Sequence, residues 1–201
     1  MPVSINGNTG VVTGLAVGGL PDGTIDADSL ASNAVTSAKL ASGVGGKVIN
    51  YAQTLKKDTA SVSVAEGAIG TALISLSYAA ASSSNKLLLS YTCHIGINTS
   101  VNCYGYLYIG GSVSTIIGDQ GLSSQKRATS TSQGVASHKA MIHSFQTLID
   151  NPSTSSTTYD VRFGHGNNAT HTISINNDAQ NANYNYYARF VSSLTILEVS
   201  A

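Results

Sequence analysis

Between Leu87 and Ile97 the chain alternates with period two. Leu87, Leu89, Tyr91, Cys93, Ile95 and Ile97 fall on one side, and Leu88, Ser90, Thr92, His94 and Gly96 on the other. Successive side chains of a strand point to opposite faces, so this pattern builds a half-buried strand and excludes an amphipathic helix. After a turn over 98–102 the alternation resumes, Cys103, Gly105, Leu107 and Ile109 against Tyr104, Tyr106 and Tyr108. Two such segments joined by a short turn read as an antiparallel hairpin with Cys93 facing Cys103 on its apolar side. Two small hydrophobes packed in the sheet is the first reading of that pair; a cross-strand disulfide and a reactive thiol are the others.

Further strands are expected at 48–52, 139–149, 157–163, 171–175, 186–191 and 193–199, with 66–78 strand or loop. The intervening stretches are rich in Ser, Thr, Gly and Asn, as in Gly164-His165-Gly166-Asn167-Asn168. Short strands at this spacing predict a mainly β protein, its residues 47–201 forming an antiparallel, jelly-roll-like β-sandwich. At the other end, Val3-Ser4-Ile5 and Val11-Val12-Thr13 flank Asn6-Gly7-Asn8-Thr9-Gly10, a hairpin signal.

Residues 15–40 follow a different rule. Leu15, Leu20, Ile25, Leu30, Val35 and Leu40 recur every five residues, and 24–32 overlays 34–42 at a ten-residue period. Five residues turn a helix by roughly 140° and move a strand side chain to the opposite face, so neither element aligns these groups. Each unit reads as one extended apolar residue, a capping Asp26 or Thr36, and about one helical turn ending on Leu30 or Leu40. Two or three such side chains per repeat cannot offset an ordering cost of roughly 1–2 kcal/mol per residue. Association with identical chains about a shared axis, as a thin shaft, supplies the missing cover; a floppy linker is the alternative. Gly43-Val44-Gly45-Gly46 then forms a hinge. The resulting division is an arm over 1–23, a shaft over 24–46 and a β domain over 47–201.

Charged residues are only 10% of the chain and the formal net charge is zero. A row of phosphates needs a Lys/Arg cluster to neutralise it, and none exists, so no nucleic-acid partner is expected. No apolar run reaches the ~18 residues of a membrane span, and the first residues lack signal-peptide character, so synthesis in a cytosol without membrane insertion is expected. His94, His138, His143, His165 and His171 show no metal-ligand spacing, and no HExxH or CxxC occurs. No Gly-x-Ser-x-Gly elbow occurs, and Asp150, Asp160 and Asp178 sit in turn or strand-start contexts. Neither catalysis, a metal nor a cofactor is expected. Tyr104, Tyr106 and Tyr108 form a candidate surface: packing against a neighbouring subunit or second sheet is the favoured use, and stacking on sugars the other. Tyr184, Tyr186 and Tyr187 make a second cluster.

The Gly-rich start, Leu20-Pro21-Asp22-Gly23-Thr24-Ile25, the repeats running into Gly43-Val44-Gly45-Gly46-Lys47-Val48-Ile49, and the ending Ser193-Leu194-Thr195-Ile196-Leu197-Glu198-Val199 resemble tail-fibre-like virion proteins of marine and cyanobacterial phages. The resemblance implies a homotrimer in the virion, made in the host cytoplasm. Its arm would attach to other virion proteins, and a β knob would be presented to a host-surface glycan or receptor. Trimeric capsid decoration or cement proteins share this architecture. A glycan-cleaving tailspike fits less well, since the chain is small and lacks an acid pair.

Overall fold

The computed structural model describes residues 4–6, 8, 11–13, 35, 48–116, 127–133, 140–177 and 189–200. The chain separates into two compact units, Met1–Gly46 and Lys47–Ala201.

In the first unit β1 (Ser4–Asn6) pairs antiparallel with β2 (Val11–Thr13), Ile5 opposite Val12. The expected hairpin is present, with Asn6 paired to Val11 so that residues 7–10 connect the strands. Of the five-residue ladder, Leu15, Leu20, Ile25, Leu30 and Leu40 lie outside the described residues, and Val35 sits at a bend, half exposed.

The second unit holds eleven strands among the described residues. These are β3 (Val48–Lys56), β4 (Ala60–Val64), β5 (Ile74–Tyr78), β6 (Lys86–Ile97), β7 (Asn102–Ile109), β8 (Ser112–Val113), β9 (Ser130–Gln133), β10 (Met141–Asp150), β11 (Thr157–His165), β12 (His171–Ile175) and β13 (Ser192–Val199). They form two antiparallel sheets. The six-stranded sheet runs β3-β13-β6-β12-β4 with β10 on the remaining edge of β6, and the five-stranded sheet runs β5-β11-β7-β8 with β9 also on β7. Because β13 covers Lys86–Thr92 of β6 and β12 covers Ile95 to Ile97, these two strands share one edge. Likewise β8 and β9 share one edge of β7. Each sheet is thus four ribbons wide.

The inward side chains of both sheets form one core. Leu87, Leu89 and Ile95 of β6 and Leu194 and Ile196 of β13 join Val161 and Phe163 of β11 in a single cluster. Burial of this apolar face, alternating strand by strand, is the main force holding the unit together.

The structure corrects the expected hairpin. β6 and β7 lie in different sheets, so the turn after Ile97 carries the chain across the sandwich. Each strand has one apolar face, and in opposite sheets these faces cover each other, which side-by-side pairing cannot achieve. Cys93 and Cys103 are accordingly both buried in the core as free thiols, the packed-hydrophobe reading. The strand expected at 186–191 is corrected in part: residues 189–191 are not in a strand, which starts at Ser192, and 186–188 lie outside the described residues. Strands β4, β8 and β9 were not anticipated. β9 is Ser-Thr-Ser-Gln, and only its pairing with β7 makes it extended. No helix occurs among the described residues.

Candidate functional site

The two outer faces of the sandwich differ in chemistry. On the five-stranded sheet, β7 turns Cys103, Gly105 and Leu107 inward and Tyr104, Tyr106 and Tyr108 outward. Register then sets Tyr104 beside Gly164, Tyr106 beside Arg162 and Tyr108 beside Asp160. The Arg162 guanidinium carbon lies 4.1 Å from the centroid of the Tyr108 ring, and its Nη2 donates to Asp160 Oδ2 at 2.8 Å. A cation over an aromatic face is attractive, and the carboxylate holds it in place. Tyr106 is only 7% exposed. Desolvation, followed by the neighbouring Tyr104, Tyr108 and Cys103, pushes its hydroxyl up to about 12. The row is therefore unequal, with Tyr106 enclosed, Tyr108 capped and Tyr104 the member that opens onto a cavity.

That cavity, of about 340 Å³, is lined by Ser100, Val101, Asn102, Tyr104, Gly166 and Asn167. A Cβ on Gly166 would stand 3.2 Å from the Tyr104 hydroxyl and 3.4 Å from Cε2, so the ring lies close against bare backbone. An aromatic ring among amides and hydroxyls suits a neutral, hydroxyl-rich ligand.

The outer face of the six-stranded sheet is apolar at one end. Tyr51 of β3 lies opposite Leu197 of β13, Leu197 opposite Leu88 of β6, and Leu88 opposite Leu148 of β10. These pairs make an unbroken line across all four ribbons. Val48 and Val199 pair in the next row. Tyr51 is 53% exposed, Val48 58% and Leu148 44%. Apolar side chains are thus gathered and exposed along one end of this face.

No protein-family model matches this chain, and no curated protein does. Function must therefore be argued from the surfaces and groups themselves.

Several buried polar side chains are engaged within the fold. His143, 1% exposed, has the Ser130 hydroxyl 3.0 Å from Nδ1 and the Ser132 hydroxyl at Nε2, and Ser130 also meets the Tyr91 hydroxyl at 2.8 Å. This network ties β9 of one sheet to β10 of the other. Desolvation lowers the imidazole to about 4. A buried histidine with both nitrogens engaged holds these strands together. His165 Nε2 lies 2.8 Å from the Val64 carbonyl, and Asn176, fully buried at φ 61°, donates from Nδ2 to the carbonyls of Lys56 and Asp58. Among the described residues no three His, Cys, Asp or Glu side chains are grouped to hold a metal.

The sequence marks the Tyr104, Tyr106 and Tyr108 row but not Arg162 and Gly166, which sit far along the chain, and Asp160, expected in a turn or strand-start context, lies within β11 beside Tyr108. The apolar row had one visible trace, Leu88 on the otherwise polar side of its strand. His138 and the cluster Tyr184, Tyr186 and Tyr187 lie outside the described residues.

Proposed function

We propose that this protein is a non-enzymatic structural component of a phage virion. In this reading it is a homotrimeric, fibre-like appendage attached through residues 1–23, with a shaft over 24–46 and a jelly-roll knob that meets a host surface. The observation that carries the reading is the strand order of the second unit. β3, β6, β10 and β13 are arranged β3-β13-β6-β10, and β5, β7, β9 and β11 are arranged β5-β11-β7-β9. With β4, β8 and β12 left aside, the chain passes from one sheet to the other at every step except β7 to β9, an order that supports a jelly roll, an architecture of viral capsid and lectin domains. Fold alone does not fix function, so the surface has to contribute. The low charge, the uneven tyrosine row and the cavity beside Tyr104 support a knob that grips neutral, hydroxyl-rich groups by stacking and hydrogen bonds.

The β1–β2 hairpin favours a second reading, a trimeric capsid decoration protein. Among the described residues this sheet has two strands, and the edge of such a ribbon can extend a neighbour's sheet. Labelling intact particles with an antibody to the second unit, alongside solution mass by light scattering, tests both. A trimer labelled at the tail is expected. A trimer labelled over the head selects decoration, and particles without label overturn the virion assignment.

A further inference from the structure

β11 ends on His165 and β12 begins on His171, so the loop 166–170 is closed at its neck by two imidazoles. Their rings meet edge to face, with centroids 4.9 Å apart and planes at 71°. Within the loop, Gly166 and Asn167 form one wall of the cavity beside Tyr104. How the two histidines bond therefore decides what holds that wall.

Two of the hydrogen bonds that fix Asn167 end on imidazole nitrogen. Its backbone N–H donates to His165 Nδ1 at 3.3 Å, which leaves the ring proton on Nε2, and Nε2 donates to the Val64 carbonyl at 2.8 Å. The Asn167 side-chain Oδ1 accepts from the Asn168 amide at 2.7 Å, so the other end of the carboxamide is Nδ2, which donates to His171 Nε2 at 3.2 Å. An imidazole nitrogen accepts only while it carries no proton. Both bonds require neutral rings. A proton added at His171 Nε2 sets N–H against N–H. Turning the carboxamide over would offer Oδ1 to the imidazolium but would take it from the Asn168 amide, so the two contacts cannot both survive.

His171 is the ring that protons reach. It is half-buried, whereas His165 is 1% exposed with both nitrogens engaged. Desolvation and then the adjacent His165 hold the His171 imidazole below the ordinary 6.5. Around it, β4 sets Val64 opposite His171 and is followed by Glu66 in an exposed turn, and β6 meets β12 through Ile95, Gly96 and Ile97. From the other sheet, β7 brings Cys103 opposite His165 and Tyr104 opposite Gly164. Thiol and phenol are uncharged in acid, which leaves His165 and the loop amides as the groups that sense the proton.

We propose that His171 is an acid-operated release for the cavity beside Tyr104: protonation at Nε2 drives off the Asn167 carboxamide, and the wall of Gly166 and Asn167 leaves its place against the Tyr104 ring. The inference rests on the reading of this cavity as a surface that grips neutral, hydroxyl-rich groups, and adds that the grip holds at neutral pH and loosens in acid.

The release is tested by nuclear magnetic resonance on the full chain, following the backbone and side-chain amide signals of Asn167 and the ring carbons of His171 from pH 8 to pH 5. All should move with one shared midpoint below 6.5. His171→Gln keeps an acceptor but gains no proton, and should hold the Asn167 signals still over that range. His171→Leu has no acceptor and should show the acid form of the side-chain signal already at pH 8. Asn167 signals in the wild type that do not follow the His171 midpoint overturn the release. Binding is read on an array of uncharged glycans. A glycan held by the wild type at pH 7.5 and lost by Tyr104→Ala should bind several-fold more weakly at pH 5, and equally at both values in His171→Gln. Equal wild-type binding at both values overturns the coupling of His171 to the cavity. An array with no glycan bound at pH 7.5 overturns instead the reading of the cavity as a sugar-gripping surface, while the amide titration still decides the release.

Discussion

Tyr78 donates its hydroxyl to Glu198 Oε2 across 2.6 Å inside the sandwich, joining β5 of one sheet to β13 of the other. Glu198 is fully buried and takes two further donors, the Ala81 amide at 2.8 Å and the Asn85 side chain. Burial alone would push this carboxyl up, but the bonds from Asn85, Tyr78 and the Ala81 and Ser82 amides outweigh it and leave it below the ordinary value. The carboxylate thereby fastens the β5–β6 loop to the last strand. Glu198→Ala strands these donors and should destabilise the second unit by roughly 3 kcal/mol, with Tyr78→Phe costing roughly 1 kcal/mol. Urea unfolding midpoints measure both, and equal small shifts would remove Glu198 from this role.

Acid stability should fall in two windows. His143 is held at about 4 in the folded protein against 6.5 when unfolded, so protonation favours the unfolded chain. Its contribution is complete above pH 6.5 and is lost as pH falls towards 4, amounting to roughly 3 kcal/mol. Glu198, lowered on folding, adds stability that is present above 4.5 and lost below it as the pH drops through its folded value. Unfolding free energy measured from pH 8 to 3 should decline in that order. In His143→Leu the upper slope should shrink, leaving the part from His171, which burial and His165 also lower; the variant starts less stable because two serine hydroxyls lose their partner.

Gly164 should tolerate no side chain. A Cβ there would stand 2.6 Å from the Ala68 carbonyl oxygen, on a segment pinned by the Ile69–Gly164 bridge and by the Gly70 amide donating to the Phe163 carbonyl at 2.9 Å. Backbone held on both sides cannot retreat, so Gly164→Ala should cost roughly 2 kcal/mol, within the range for overpacking. Gly111→Ala meets no atom within 4 Å but takes on a φ of +83°, and should cost roughly 1 kcal/mol. Thermal melts of the two variants separate the mechanisms.

The thiols of Cys93 and Cys103 should be silent in the folded protein. Burial pushes each up to about 12, so the nucleophilic thiolate is scarce at neutral pH. Iodoacetamide at pH 8 should label neither until denaturant is added, when both react. Labelling of native protein would show that the core opens locally.

Local pattern in the sequence determined most of the longer strands and which side of each is apolar. The alternation of Leu87 through Ile97 survives as the inward face of β6, and the two short runs Ser4–Asn6 and Val11–Thr13 pair as the β1–β2 hairpin. Both depend only on neighbours along the chain. Tertiary structure alone decided which strands share a sheet, for a turn after Ile97 serves a hairpin and a crossing equally well, and the choice rests on which distant apolar faces cover each other. It also decided that the polar run Ser130–Gln133 is a strand, because β7 offers it hydrogen bonds. The same holds for the surfaces. Leu88, Leu148, Leu197 and Tyr51 become one apolar line only through register across four ribbons, and Arg162 reaches Tyr108 only because β11 lies beside β7. Side-chain rows across a sheet belong to pairing between strands, and no single stretch of sequence contains them.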